Sequence, residues 1–285
     1  MLGSEVVRLA RAAGQRVRAV VRDGADPARV AKLEQSGAEL TTADLKEPAT
    51  LVRACEGVTA VVSTATAVIP RLPGDSIATV DERGQLSLAQ AAEDAGVERF
   101  VFASFHPVSL DFALQRAKRR VEDRLTRTGR YTILHAANFI EFWLSTAVGF
   151  DPVHGRAVLF GGGRQPVSWV SLHDVARFAV AATETDAFIG KTIELGGPDA
   201  LSQRDVLDIF RQAGAPDVQV QDVPEAALEA QLAAATDAAA EAAAAITLAT
   251  ARGLLLDSRP ALALLPGKLL TVRDYAIRLL GDTNG

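Results

Sequence analysis

Residues 2–23 read LGSEVVRLARAAGQRVRAVVRD, and this stretch decides the fold. Its first half sets charges among apolar residues at helical spacing, Gly14 stops that helix, and RVRAVVR at 16–22 is a valine-rich strand. The same unit recurs outward along the chain. Strand-like runs follow at AELTTADL (38–45), VTAVVSTA (58–65) and VERFVFASF (97–105), with amphipathic stretches at 26–36, 48–56, 76–95 and 111–128 between them. Gly37, Gly57, Gly96 and Gly129 stand where these helices should end. Strands apolar at most positions need cover on both faces, which flanking helices give to a parallel sheet. The alternation therefore predicts an α/β protein with a doubly wound parallel sheet. YTILHAA at 131–137 is read as its last strand.

Beyond residue 137 the period loosens. AVLFGGGRQPVSWVS, a helix at 172–183, KTIELGG at 191–197 and a helix from Gln203 are assigned to a smaller C-terminal lobe. The expected division is a binding domain over 1–137 and a substrate-side lobe over 138–285, interwoven with the first. Gly161–Gly163 beside Arg164 and Pro166 read as a hairpin or loop, not a phosphate cradle. The alanine-rich run from Ala226 to Ala251 reads as helical packing.

A chain of 285 residues, 48% hydrophobic and 23% charged, can bury a full core. A net charge of -5, with scattered arginines, gives no field for nucleic acid. The single cysteine, Cys55 in LVRACEG, excludes a disulfide framework and Cys/His metal spacing, so no metal is expected. The N-terminal stretch has no unbroken apolar core, and the expectation is a cytoplasmic protein without membrane attachment.

The opening helix and the strand after it resemble the extended short-chain reductase superfamily and its NmrA-like branch. There a strand and T-G-A-T-G-x-L-G precede such a helix, and Leu2 and Gly3 match the final L-G. The resemblance implies a Rossmann-like fold that holds a nicotinamide dinucleotide, its diphosphate at the positive end of the Gly3 helix. It also implies that the first strand and the two glycines nearest the phosphates are missing from the chain as numbered. That strand would sit between those beginning near Arg16 and Val58. Three or four buried aliphatic side chains at roughly 1.5–3 kcal/mol each approach a domain's whole margin of ~5–15 kcal/mol. The expectation is therefore that the reading frame ahead of Met1 supplies about ten further residues. The alternative is that two strands close up over the gap.

On this resemblance Arg22, at the end of its strand, meets the adenosine ribose. An arginine there suits a 2′-phosphate, so NADP is expected over NAD; its other reading is a solvated strand end. Asp23 is read as a turn residue. Asp44 and Leu45 resemble the G-D-L turn beside the adenine, or cap the next helix. Ser63, Thr64, Ala65 and Thr66 allow close backbone approach to the nicotinamide-side ribose, or form a plain tight exit.

Short-chain reductases pair a tyrosine with a lysine four residues later, on one helix face. Here LQRAKRRVEDRL places Lys118 on the lysine of the family's A-K-x-x-V-E-x-x-L run, but Leu114 stands where the tyrosine belongs. Neither Tyr131 nor Tyr275 is placed to replace it. Lys118 is read as bonding the ribose and a substrate carbonyl, against the alternative of a solvated basic face with Arg119 and Arg120. Ser104 matches the family's serine at the mouth of the sheet, and His106 lies two residues on as a pocket candidate. Asn138 and Phe139 in AANFIEFW resemble the R-P-x-x-F-M-E-N segment beside the substrate cavity, with His135 and Ala136 replacing Arg-Pro. Ser171 and Asp174 have capping-box spacing. No Ser/His/Asp elbow, HExxH or P-loop pattern occurs.

Two functions compete on this reading. One is an NADP(H)-dependent oxidoreductase passing hydride to a small carbonyl, quinone-like or enone substrate. The other is a non-catalytic NAD(P)-binding sensor, which allows a protein partner. A paralogue that binds nothing is the third possibility.

Overall fold

The computed structural model describes residues 1–69 and 72–282. Its elements follow the predicted alternation: α1 (Leu2–Ala12), β1 (Arg18–Val21), α2 (Pro27–Gln35), β2 (Glu39–Thr42), α3 (Pro48–Cys55) and β3 (Ala60–Ser63). A π-helix over Ile77–Gly84 then runs directly into α4 (Gln85–Asp94), followed by β4 (Arg99–Phe105), α5 (Ala113–Thr126) and β5 (Tyr131–Ala136). Next come β6 (Asn138–Phe139), α6 (Ile140–Trp143), β7 (Phe150–Asp151), β8 (Arg156–Phe160), β9 (Val167–Val170), α7 (Leu172–Glu184) and β10 (Lys191–Leu195). The chain closes with β11 (Ala200–Leu201), α8 (Gln203–Gln212), β12 (Gln219–Val223), α9 (Glu225–Ala233), α10 (Ala238–Arg252), α11 (Arg259–Leu264) and α12 (Val272–Asp282).

Gly14, Gly37, Gly57, Gly96 and Gly129 all have φ between +68° and +80°. That left-handed conformation is open to glycine without a Cβ penalty, and it is why each helix stops where the sequence says.

Two compact units emerge. The first comprises residues 1–104, 113–134 and 175–193; the second comprises 105–112, 135–174 and 194–285. The chain leaves the first unit after Ser104, returns to it over 113–134 and returns again for most of α7.

The main sheet is four-stranded and parallel, in the order β10-β5-β4-β3. Thus β5 is not the last strand: Lys191–Leu195, which the sequence placed in the smaller lobe, adds outside it. Strands β1 and β2 form a separate parallel pair, in register from Arg18 opposite Glu39 to Val21 opposite Thr42. Among the described residues no strand bonds β1 on its side away from β2, or β3 on its side away from β4. Closure of β1 onto β3 is therefore not what the structure shows. Val101 and Phe102 of β4 are fully buried, as a central strand covered on both faces must be. Phe102, Val121, Leu125, Ile133 and Cys55 make the core of this unit, so Cys55 packs as a small apolar side chain.

The second unit packs Ile140, Leu144, Trp169, Phe210 and Tyr275 around its own core. Gly161–Gly163 form a tight loop in which the Gly162 N–H donates to Asp222 at 2.9 Å. The alanine-rich run is helical but broken, because Asp237 caps α10 by accepting from the Ala239 and Ala240 amides. Among the described residues no helix is long and apolar enough to cross a membrane.

Candidate functional site

Parallel strands end on one side, and in the first unit those ends carry most of the candidate residues. Arg22 follows β1, Asp44 and Leu45 follow β2, Thr64 and Ala65 follow β3, and Ser104 is the penultimate residue of β4. Register aligns Ser63 with Phe102 across β3 and β4, so β4 continues to Phe105 past the end of β3.

Gly3 sits in the first turn of α1 against this rim. A β-carbon built on Gly3 would lie 2.9 Å from Thr64 Oγ1, closer than real Cβ contacts come. No side chain caps the N-terminus of α1, where the Glu5 amide donates to the Met1 carbonyl at 3.3 Å. A bare Cα beside uncapped amides at a strand exit is the cradle that a dinucleotide diphosphate fits.

Arg22 is held from the side. Its Nη1 donates to both carboxylate oxygens of Asp75, at 2.8 and 3.0 Å, and Lys46 Nζ donates to Asp75 Oδ1 at 2.9 Å. Two cations thus converge on one carboxylate that is itself buried. Asp44 accepts from the Lys46 amide at 2.8 Å, its amide donates to Thr50 Oγ1 at 3.1 Å, and Leu45 packs against the core of the unit. These contacts form a local turn, and the N-cap position of α3 is Glu47.

Lys118 is 5% exposed and is not part of a solvated basic face. Its Nζ lies 3.5 Å from Asp81 Oδ1 and 4.7 Å from the centre of the Phe102 ring, and it donates to the Ala103 carbonyl at 3.4 Å. Burial pushes its pKa down, and the Asp81 carboxylate opposes that shift. Ser104 donates to Glu122 Oε1 at 2.5 Å and accepts from Arg119 Nη2 at 3.1 Å. Its one proton is therefore committed within the protein. Leu114 is buried at the position of the absent tyrosine. Tyr131 opens β5 at the opposite end of the strand from the rim, and Tyr275 is buried in the core of the second unit.

His106, Asn138 and Phe139 belong to the second unit. His106 Nδ1 lies 2.9 Å from Glu194 Oε1, outside in-line hydrogen-bond geometry, and the ring meets His135 edge-on at 6.1 Å. Asn138 donates to Thr250 Oγ1 at 2.9 Å, while Asn138 and Phe139 pair with Trp169 and Val170. Ser171 and Asp174 form the cap expected of them, the Asp174 amide donating to Ser171 Oγ at 2.9 Å. Among the described residues no group of three or more His, Cys, Asp or Glu is placed to hold a metal.

Sequence reasoning did not single out Asp75, Asp81, Gln85 or Glu122. Asp81 and Gln85 are both fully buried, beside Ile77, Val80 and Gly84. The available signal was two polar residues four apart on an otherwise apolar face. Gln85 accepts from Ser63 Oγ at 2.7 Å and donates to the Ala65 carbonyl at 3.1 Å, which fixes the exit of β3.

A parallel sheet with helix-covered faces, a glycine-opened helix tip and a buried lysine at the strand ends defines a dinucleotide-binding type of fold. The chain belongs to the NmrA-like family, whose model matches residues 1–251. It is 28% identical over 226 residues to Photosystem II assembly factor Ycf39 of Trieres chinensis, covering 78% of this chain and 69% of that protein. An NAD(P)H azoreductase of Xenophilus azovorans is 29% identical over 208 residues, covering 72% of this chain and 68% of the relative. Triphenylmethane reductase of Citrobacter sp., solved as a complex with NADP(H), shares the fold with a TM-score of 0.76 at 20% identity. That match covers 98% of this chain and 96% of the other.

Proposed function

We propose that the chain is an NADP(H)-dependent oxidoreductase that reduces a small carbonyl, quinone-like or enone acceptor. The observation that carries this reading is the buried Lys118 ammonium at the end of β4, linked through Asp81 to the loop leaving β3. Desolvating an ammonium costs several kcal/mol, and such costs concentrate where a charge is used. Gly3 and the first-turn amides of α1 would hold the diphosphate, and Arg22 with Lys46 would meet a 2′-phosphate in place of Asp75. Asp44 and Leu45 would border the adenine, and Thr64 and Ala65 the second ribose. A bound reduced nicotinamide supplies hydride. Lys118 then donates a hydrogen bond to a ribose hydroxyl and to the acceptor oxygen as that oxygen gains negative charge. Relatives named as an azoreductase and as a triphenylmethane reductase support redox chemistry on a small molecule.

A second reading is a nucleotide sensor that acts on a protein partner. Leu114 in place of tyrosine and the Ser104 proton held by Glu122 favour it, and a relative named as an assembly factor is consistent with it. NADPH oxidation against a panel of quinones, enones and aldehydes, with a parallel NADPH titration, separates the two. Turnover that falls at least ~100-fold in Lys118→Met supports the enzyme. Saturable binding without turnover supports the sensor, and neither signal removes both.

A further inference from the structure

We infer that Asp81 is a positioning residue that joins Lys118 to the loop leaving β3, so that the ammonium and the Ala67 amide are set by one carboxylate. Asp81 lies in the π-helix Ile77–Gly84, a widened turn that proteins use sparingly and often at working sites. It is fully buried, and its two oxygens do different things. Oδ2 accepts from the Ala67 amide at 2.8 Å. Oδ1 has no hydrogen-bond partner and faces Lys118 Nζ at 3.5 Å. One turn on, Gln85 at the start of α4 holds Ser63, the last residue of β3, and Ala65 of the loop, so Asp81 and Gln85 together grip the β3 exit at three residues.

Among the described residues the other charged groups that act on Lys118, Glu122 and Arg119, lie on its own helix. Glu122 is taken by Ser104 and Arg119, and Arg119 repels an ammonium. Asp81 is therefore the carboxylate on which the lysine's charge rests. A purely architectural aspartate would need only an acceptor for the Ala67 amide, which an asparagine also provides; the unbonded oxygen turned to Lys118 requires the charge.

This inference rests on the reading of Lys118 as the working group, and its test is chosen to fail separately. The chain, labelled with 13C at lysine Cε, gives signals from five lysines, and Lys118→Arg identifies the one from Lys118. In Asp81→Asn the Lys118 titration midpoint should fall by about one pH unit or more, with the melting temperature showing a folded chain. The same variant should lower kcat about tenfold or more and leave KM for NADPH within about threefold, because the Ala67 acceptor is kept. Should Asp81→Asn not fold, the amide spectrum of Lys118→Gln replaces it. The Ala67 amide should shift there and stay in place in Arg119→Gln. An unchanged Lys118 midpoint in folded Asp81→Asn, or an unmoved Ala67 amide in Lys118→Gln, overturns the inference. A shifted midpoint in a protein that binds no NADPH keeps the coupling and removes the reductase reading alone.

Discussion

Arg22 and Asp75 form a side-on ion pair, with Nη1 of the guanidinium 2.8 and 3.0 Å from the two carboxylate oxygens and Lys46 bonded to the same aspartate. A dinucleotide 2′-phosphate would have to take Arg22 from that carboxylate. Arg22→Ala should raise the Kd for NADPH about tenfold or more, the value of a charge-assisted hydrogen bond, and leave that for NADH within about twofold. Lys46 still pairs with Asp75 in this variant, so its melting temperature should hold. Equal effects on both coenzymes would contradict the placement of Arg22.

Gly84 closes the π-helix where Leu45 crosses it. A β-carbon there would stand 2.7 Å from Leu45 Cβ and 2.9 Å from the carbonyl oxygens of Leu45 and Thr79. Replacing a helical glycine by alanine ordinarily stabilises by about 1 kcal/mol, but overpacking against backbone costs about 1–3 kcal/mol. Gly84→Ala should therefore lower the urea midpoint, opposite to the propensity rule.

Lys118→Met removes the cation that faces Asp81 Oδ1 and should cost about 3–5 kcal/mol, the range for leaving a buried charge uncompensated. Adding Asp81→Asn should recover part of that loss, measured as a double-mutant cycle in denaturant. Strict additivity would show that the two groups do not interact.

Burial holds the Glu141 carboxyl above its ordinary value of 4.5, against the hydrogen bond it accepts from the Leu172 amide at 2.9 Å. A carboxyl raised in the folded state binds its proton more tightly there than in the unfolded chain. Its stabilising contribution is full below 4.5 and is lost as pH rises through the folded value. Glu141→Gln keeps an acceptor for Leu172 and carries no charge. Its melting temperature relative to the parent should rise by about 1–3 °C between acid and neutral pH. A difference that does not vary with pH would contradict the shift.

Most of the first unit was legible because helix ends and buried strands have local causes. Gly14, Gly37, Gly57, Gly96 and Gly129 mark chain reversals that other residues resist, and valine-rich runs without alternation ask for cover on both faces. The stretch 76–95 was legible as helix but not as a π-helix joined to an α-helix, since over so short a run the two leave much the same apolar face. The place of β10 at the sheet edge is likewise a long-range pairing. In the candidate site, Lys118, Ser104 and Gly3 were marked by a motif, and Glu122 lay inside the same run as Lys118 without a role, whereas Asp75 and Asp81 are defined only by what they touch. A carboxylate in ATVDERGQL looks like any helix-surface charge until its burial is known.

The central claim is that the tip of α1 beside Thr64 receives the diphosphate of a nicotinamide dinucleotide. Titration of the chain with NADPH, followed by coenzyme fluorescence, tests it most directly when run beside Gly3→Ala. Alanine suits a helix and Thr64 Oγ1 can turn aside, so the variant should keep its melting temperature. The account predicts one saturable site in the parent chain and about a tenfold or greater loss of affinity in Gly3→Ala. No saturable binding in the parent, or equal affinity in the folded variant, would contradict it.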